Sequence, residues 1–241
     1  MLICLAVFVL YLLHPIVRAI KTSRIIQEHS VAYEQHPVKP TMRILIAGDS
    51  TGVGTGSSDP RYSIAGRIGS DFPQADIQNI SENGLKLSEL HEKLSKMGSQ
   101  TYDLILFQIG ANDVVGGTSL QKVKDELNTV LEYGEAHGDF VVVITAGNIG
   151  LSPVFKAPLS YLITLRTLKV REIFMQEISP RSSTKYVDLF KEREYDVFSS
   201  DIHKYYAEDL FHPSSDGYAV WYFDIKSAIQ QRLKISSNLV Q

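Results

Sequence analysis

From Met42 onward, short apolar runs alternate with stretches of helical periodicity, and this alternation restricts the possible architectures more than any other feature of the chain. The runs are Arg43–Ala47, Asp76–Ile80, Asp103–Ile109, Phe140–Thr145 and Lys185–Leu189. Four of them are dense in Ile, Leu, Val or Phe and too short for helices, the pattern of strands covered on both faces. Asp76–Ile80 is weaker and suits an edge. Between the runs, Leu87–Met97 and Leu120–Tyr133 carry apolar residues three and four apart, and Tyr161–Ile178 and Gly217–Leu233 complete the helical set. Strand alternating with helix requires right-handed crossovers, hence an α/β fold with a parallel sheet sandwiched between helices. Ligands of such sheets bind beyond the carboxyl ends of the strands. A site is therefore expected on the loops after Ala47, Ile80, Ile109, Thr145 and Leu189.

The N-terminus is of another kind. Leu2 to Leu13 is unbroken apolar sequence, and the first charge is Arg18. The uncharged stretch from Leu2 to Val17 covers roughly 24 Å as a helix, and letting Arg18 snorkel nearly spans a bilayer core of ~30 Å. No Lys or Arg precedes the apolar run and no small-x-small cleavage site follows it, so an uncleaved anchor fits better than a signal peptide. The rival reading is an apolar helix docked on the domain. Arg18, Lys21 and Arg24 follow the run, and the positive-inside rule would hold that flank in the cytoplasm. The expected organisation is a membrane anchor over 1–24, a polar linker over 25–41 and the α/β domain over 42–236. Since every core pattern and motif lies beyond Met42, the domain is expected to stand without the segment before it.

Charge and cysteine content exclude several functions. Residues 1–40 carry Arg18, Lys21, Arg24 and Lys39 against Glu28 and Glu34, a balance of +2, which leaves −5 for the remainder of a chain whose net charge is −3. Without a basic field, nucleic acid is not the expected partner. The single Cys4 leaves the domain no disulfide, redox pair or cysteine zinc site.

The loops at the strand ends carry the chemistry. Gly48-Asp49-Ser50-Thr51-Gly52-Val53-Gly54 follows the first strand. A serine there can present its hydroxyl to a cleft, with the free N–H groups of a starting helix facing a developing oxyanion. It lacks the lysine of a phosphate-binding loop, and a plain helix cap remains the alternative. Asn79-Ile80-Ser81-Glu82-Asn83-Gly84 offers a backbone N–H at Gly84, or an ordinary Asn-Gly turn. Gly110-Ala111-Asn112-Asp113 offers the Asn112 amide, with Asp113 as a brace or cap. Asp209-Leu210-Phe211-His212-Pro213 sets a carboxylate three residues before a histidine, where it can accept the Nδ1 proton and leave Nε2 as a base. Its decoy is His203, which follows Asp201 in a segment with no clear helical start. His91 and His137 read as solvated. Each motif alone is ambiguous; on one rim they supply a hydroxyl, oxyanion donors, a base and an orienter, the inventory of nucleophilic acyl transfer.

In this order the four blocks resemble those of the SGNH/GDSL hydrolase superfamily, over roughly Met42 to Leu233, and Phe211-His212-Pro213-Ser214 with Gly217-Tyr218 is most similar to its bacterial esterase-type members. The resemblance implies a flavodoxin-like three-layer α/β/α fold with strand order 2-1-3-4-5. It implies Ser50 as nucleophile and first oxyanion donor, the Gly84 N–H and the Asn112 side chain as the other donors, and Asp209 and His212 as orienter and base. Asp49 and Asp113 are supporting residues, and neither metal nor organic cofactor is implied. Thr51 replaces the leucine of the namesake motif, and Leu85-Lys86-Leu87 stands where many members have small polar residues.

The expected function is serine ester hydrolysis of a small-molecule ester, acyl lipid or lysophospholipid, tethered to a bacterial inner membrane by one helix. Deacetylation of a cell-envelope carbohydrate is the enzymatic alternative, and an inactive membrane-tethered binding protein the alternative of another class. Ser152 to Leu165 could form a lid or acyl wall; beyond Tyr161 it reads as the buried face of a helix.

Overall fold

The computed structural model describes residues 2–239. Five strands, β1 (Met42–Gly48), β2 (Ala75–Asn79), β3 (Leu104–Gln108), β4 (Val141–Ile144) and β5 (Thr184–Val187), form one parallel sheet in the order β2-β1-β3-β4-β5. The three-layer α/β/α architecture is therefore as expected, with β2 on an edge. The pleat divides the core into two layers. Leu45, Ala47, Ile105, Phe107, Val141 and Val143 face one side, while Ile44, Ile46, Leu104, Leu106, Val142 and Ile144 face the other. Helices α4 (Leu87–Ser95), α5 (Ala111–Val115), α6 (Leu120–His137) and α7 (Leu159–Ile178) cover the first face. Helices α3 (Ile64–Asp71) and α10 (Ser215–Leu239) cover the second. Short helices α2 (Ser50–Val53), α8 (Val197–Ser200) and α9 (Ile202–Tyr205) sit in the loops.

Two helices depart from the sequence reading. The periodicity gave no sign of α3, because it has only eight residues and two glycines, Gly66 and Gly69, which weaken helical propensity. Both are there for close contact: a Cβ on Gly66 would lie 2.4 Å from the Arg61 Cα, and one on Gly69 2.7 Å from the Tyr33 ring. The segment around His203 does have a helical start, since Asp201 caps α9 through the N–H groups of His203 and Lys204.

The N-terminal region is more integrated than expected. Helix α1 (Leu2–His29) runs five residues past the boundary at 24, and Ala19 and Ile16 pack against the first core layer. Residues 30–41 do not hang free. Gln35 pairs with Ile77 through both backbone groups (3.1 and 2.7 Å), and its side chain donates to the carbonyls of Phe72 and Ala75. Glu34 accepts the Asn79 N–H and His36 pairs with Asp76. A peptide edge left open by β2 is thereby covered. The segment before Met42 thus touches the domain at two places, the first core layer through α1 and the sheet edge at β2.

Candidate active site

The turn that carries Ser50 is built by close approach. At Gly48 the chain leaves β1 so near to β3 that a Cβ would fall 1.9 Å from the Gln108 carbonyl oxygen; only glycine fits. Asp49 then caps α2, its Oδ1 accepting the Thr51 N–H (2.9 Å) and the Thr51 hydroxyl (2.8 Å). Thr51, where the namesake motif has leucine, thus serves the cap. Ser50 is the first residue of α2, so its N–H has no acceptor within the helix. Burial pushes the Asp49 carboxyl up to about 6, against the opposing pull of the Thr51 hydrogen bonds.

Across the cleft, Asp209 folds its loop around His212. Its Oδ1 accepts the N–H groups of Phe211 (3.0 Å) and His212 (2.9 Å), and its Oδ2 lies 2.5 Å from His212 Nδ1. The other ring nitrogen, Nε2, lies 2.8 Å from Ser50 Oγ. The two side chains of this pair are 0% and 4% exposed. Burial by itself would raise the Asp209 carboxyl, but the hydrogen bond and charge of His212, with the two backbone N–H groups, outweigh it and hold its pKa below the usual range. The turn is strained, because Leu210 sits at φ 57° without being glycine. Ser152 holds it there, donating its hydroxyl to the Leu210 carbonyl at 2.8 Å.

The remaining predicted residues converge on the same cleft, which Ser50, Gly84, Asn112 and His212 line together. Gly84 adopts φ 83°, with open space where a side chain would stand. Its N–H makes no backbone hydrogen bond among the described residues. Asn112 donates one amide N–H to the Leu85 carbonyl (3.1 Å), which fixes the plane of the amide and leaves the second N–H. Asp113 is a brace and not the cap of α5: its Oδ2 accepts the Leu87 N–H that begins α4, while Gly110 holds the cap position. Burial raises the Asp113 carboxyl. Asn79 ties the second loop to the first by donating to the Gly52 carbonyl at 3.0 Å.

The other histidines stand apart. His203 is exposed on α9. His91 and His137 are not simply solvated: His91 meets Glu126 at 3.2 Å, and His137 stacks on Tyr133 and bonds its carbonyl. Among the described residues no group of His, Cys, Asp or Glu is arranged to hold a metal ion.

The Ser152–Leu165 segment divides in two. Val154 and Phe155 join the core beside the cleft, and so does Ile163 on α7, whereas Tyr161, Leu162 and Leu165 stay 65%, 57% and 39% exposed. The buried-face reading beyond Tyr161 is corrected for Leu162 and Leu165. Sequence reasoning also missed Ser152, whose partner is 58 residues away. It missed Ile16, Ala19 and Ile20 of α1, which line the cleft opposite Ser50. Their i, i+3, i+4 spacing was present but lay just past the apolar run, around Arg18, where it was taken as part of the anchor.

A family model described as the GDSL-like lipase/acylhydrolase family matches residues 46–220. Among curated proteins no sequence matches. Solved structures similar to this chain include a lipase from a goat rumen metagenome, 19% identical with a TM-score of 0.59, covering 78% of this chain and 97% of the other. A lipase/acylhydrolase from Enterococcus faecalis is 18% identical with a TM-score of 0.56, covering 80% and 97%. Axe2, an acetylxylan esterase from Geobacillus stearothermophilus, is 16% identical with a TM-score of 0.53, covering 79% and 94%. At these identities the likeness is one of fold.

Proposed function

The chain belongs to the GDSL-like lipase/acylhydrolase family and is an ester hydrolase; on that premise we propose that Ser50 is its nucleophile and that catalysis runs through an acyl-enzyme. The observation that carries this reading is the unbroken line Asp209–His212–Ser50, with contacts of 2.5 and 2.8 Å. Asp209 accepts a hydrogen bond from Nδ1–H and so fixes the tautomer that leaves Nε2 basic. His212 takes the Ser50 proton as Oγ attacks the ester carbonyl. The tetrahedral oxyanion lies among the N–H groups of Ser50 and Gly84 and the Asn112 amide. His212 then gives its proton to the leaving alkoxide, and water, activated by the same nitrogen, releases the acid and restores Ser50.

The substrate proposed is an acyl ester presented at a membrane, because α1 is the one helix among the described residues long and apolar enough to cross a bilayer. An inactive binding protein is disfavoured by the full set of roles standing in one cleft. A panel of acyl lengths separates lipid-like esters from the acetyl esters of carbohydrates.

The ordering of variants tests the assignment. With p-nitrophenyl acetate, Ser50→Ala and His212→Ala should lose comparable activity, since triad members act as a unit. Asp209→Asn should fall by roughly 10⁴-fold, as when a triad loses its orienting carboxylate. Asn112→Ala should fall by about 10²–10³-fold as one donor of three. His203→Ala should stay within about threefold, being no part of the unit. A crippled His203→Ala beside a working His212→Ala would redraw the triad around Asp201.

A further inference from the structure

Helix α1 has two characters along its length. Toward its start Ile3, Val7, Leu10 and Tyr11 are 81%, 61%, 65% and 54% exposed. So much apolar surface is not stable in water, and a helix that satisfies its own backbone suits a bilayer. Further on, Ile16, Ala19 and Ile20 form a wall of the cleft that holds Ser50 and His212, facing Val154, Phe155 and Phe211. Beyond them the same face turns polar, with Ser23, Arg24 and Gln27. The charges Arg18, Lys21 and Arg24 begin only after Leu13. At 1.5 Å per residue the middle of this wall lies roughly 8 Å past the end of the apolar run, the level at which hydrocarbon gives way to headgroups.

Two further observations set a direction. A second groove, lined by Val7, Tyr11, His14 and Leu210, shares Ala19 and Val154 with the catalytic cleft and leads back toward the apolar half of α1. The exposed Tyr161, Leu162 and Leu165 open α7, which is fastened to α5 by Arg166 donating to the carbonyls of Asp113 and Val114. Val115, the last residue of α5, lines the cleft and is itself 43% exposed. The rim that carries the site is thus apolar on the domain side as well.

We propose that α1 is a substrate-binding wall of the enzyme as well as its tether: a single-chain amphiphilic ester is drawn from the bilayer surface and held against this helix. Its acyl chain lies between Ile16, Ala19 and the Val154–Phe155 pair, its carbonyl reaches Ser50, and its polar head meets Ser23, Arg24 and Gln27. Chain-length preference is then set by α1. This inference rests on Ser50 being the nucleophile.

The test uses the full-length protein in phosphatidylcholine nanodiscs, with p-nitrophenyl acetate and p-nitrophenyl decanoate as the probes. The readout is the ratio of kcat/KM for decanoate over acetate. Each methylene held in the cleft is worth about fourfold in that ratio, so blocking about four of them costs on the order of 10²-fold. Ala19→Phe fills the wall and should produce that loss. Ile20→Trp, at a half-exposed position with little part in the core, should act in the same direction if Ala19→Phe disturbs folding. Ile25→Trp, 60% exposed and outside both grooves, should keep the wild-type ratio. A wild-type ratio in both Ala19→Phe and Ile20→Trp, with acetate still hydrolysed, overturns this inference alone. A wild-type enzyme that hydrolyses neither ester overturns the catalytic reading and this one with it.

Discussion

Asp49 stands beside Ser50, wholly buried, and carries a displaced titration. An unfolded aspartate releases its proton near 3.8, whereas in the folded protein burial moves the carboxyl to about 6. Between those values the native state holds a proton that the unfolded chain has lost, so this group's stabilisation declines as pH rises through the window. The decline amounts to about 3 kcal/mol. Asp209 acts oppositely, since its lowered pKa makes its contribution present above the unfolded value and lost in stronger acid. Asp49→Asn keeps a capping oxygen for Thr51 and removes the charge. Its thermal midpoint should therefore gain on wild type steadily from pH 4 to pH 6, and parallel pH profiles would show that Asp49 is not the titrating group. The residues proposed to do the chemistry could be picked out because their types and strand-end positions are local signals. Their supports were not: the bond from Ser152 to Leu210 and the one from Asn112 to Leu85 join distant loops and leave no spacing in the sequence.

Among the elements, the strands were readable because burial on both faces forces continuous apolar runs, and the order of the sheet followed from the resemblance. Helices with a long amphipathic face were readable for the same reason. Helix α3 was not, since its two glycines are chosen for contact with Arg61 and Tyr33 rather than for helix formation. The most demanding junction is β1 to α2, where Gly48 lies against the backbone of Gln108. A methyl group there must push the two central strands apart or move the turn that carries Ser50. Gly48→Ala should lower stability by about 1–3 kcal/mol, a fall of about 3–10 °C in thermal midpoint for a domain of this size. An unchanged midpoint would mean that the turn relaxes freely.

For the molecule as a whole, the division into anchor, linker and domain understates how closely the parts are joined. The apolar segment was evident from composition, yet composition cannot say which face of helix α1 meets the protein. That information resides in Ala19, the small residue of α1 that is buried in the first core layer, and in Val154, which lines the same cleft. Residues 30–41 were equally silent, because one backbone bridge at Gln35 and a few polar side chains create no periodicity.

The central claim is that Ser50, activated by His212 and Asp209, forms a covalent acyl-enzyme. The most direct measurement is the reaction of the full-length protein with a fluorophosphonate, followed by intact mass and peptide mapping. An acyl-enzyme on Ser50 requires one adduct, on Ser50, abolished in Ser50→Ala and strongly slowed in His212→Ala. An adduct on any other residue, or ester turnover that continues with Ser50 unlabelled by excess reagent, would contradict it.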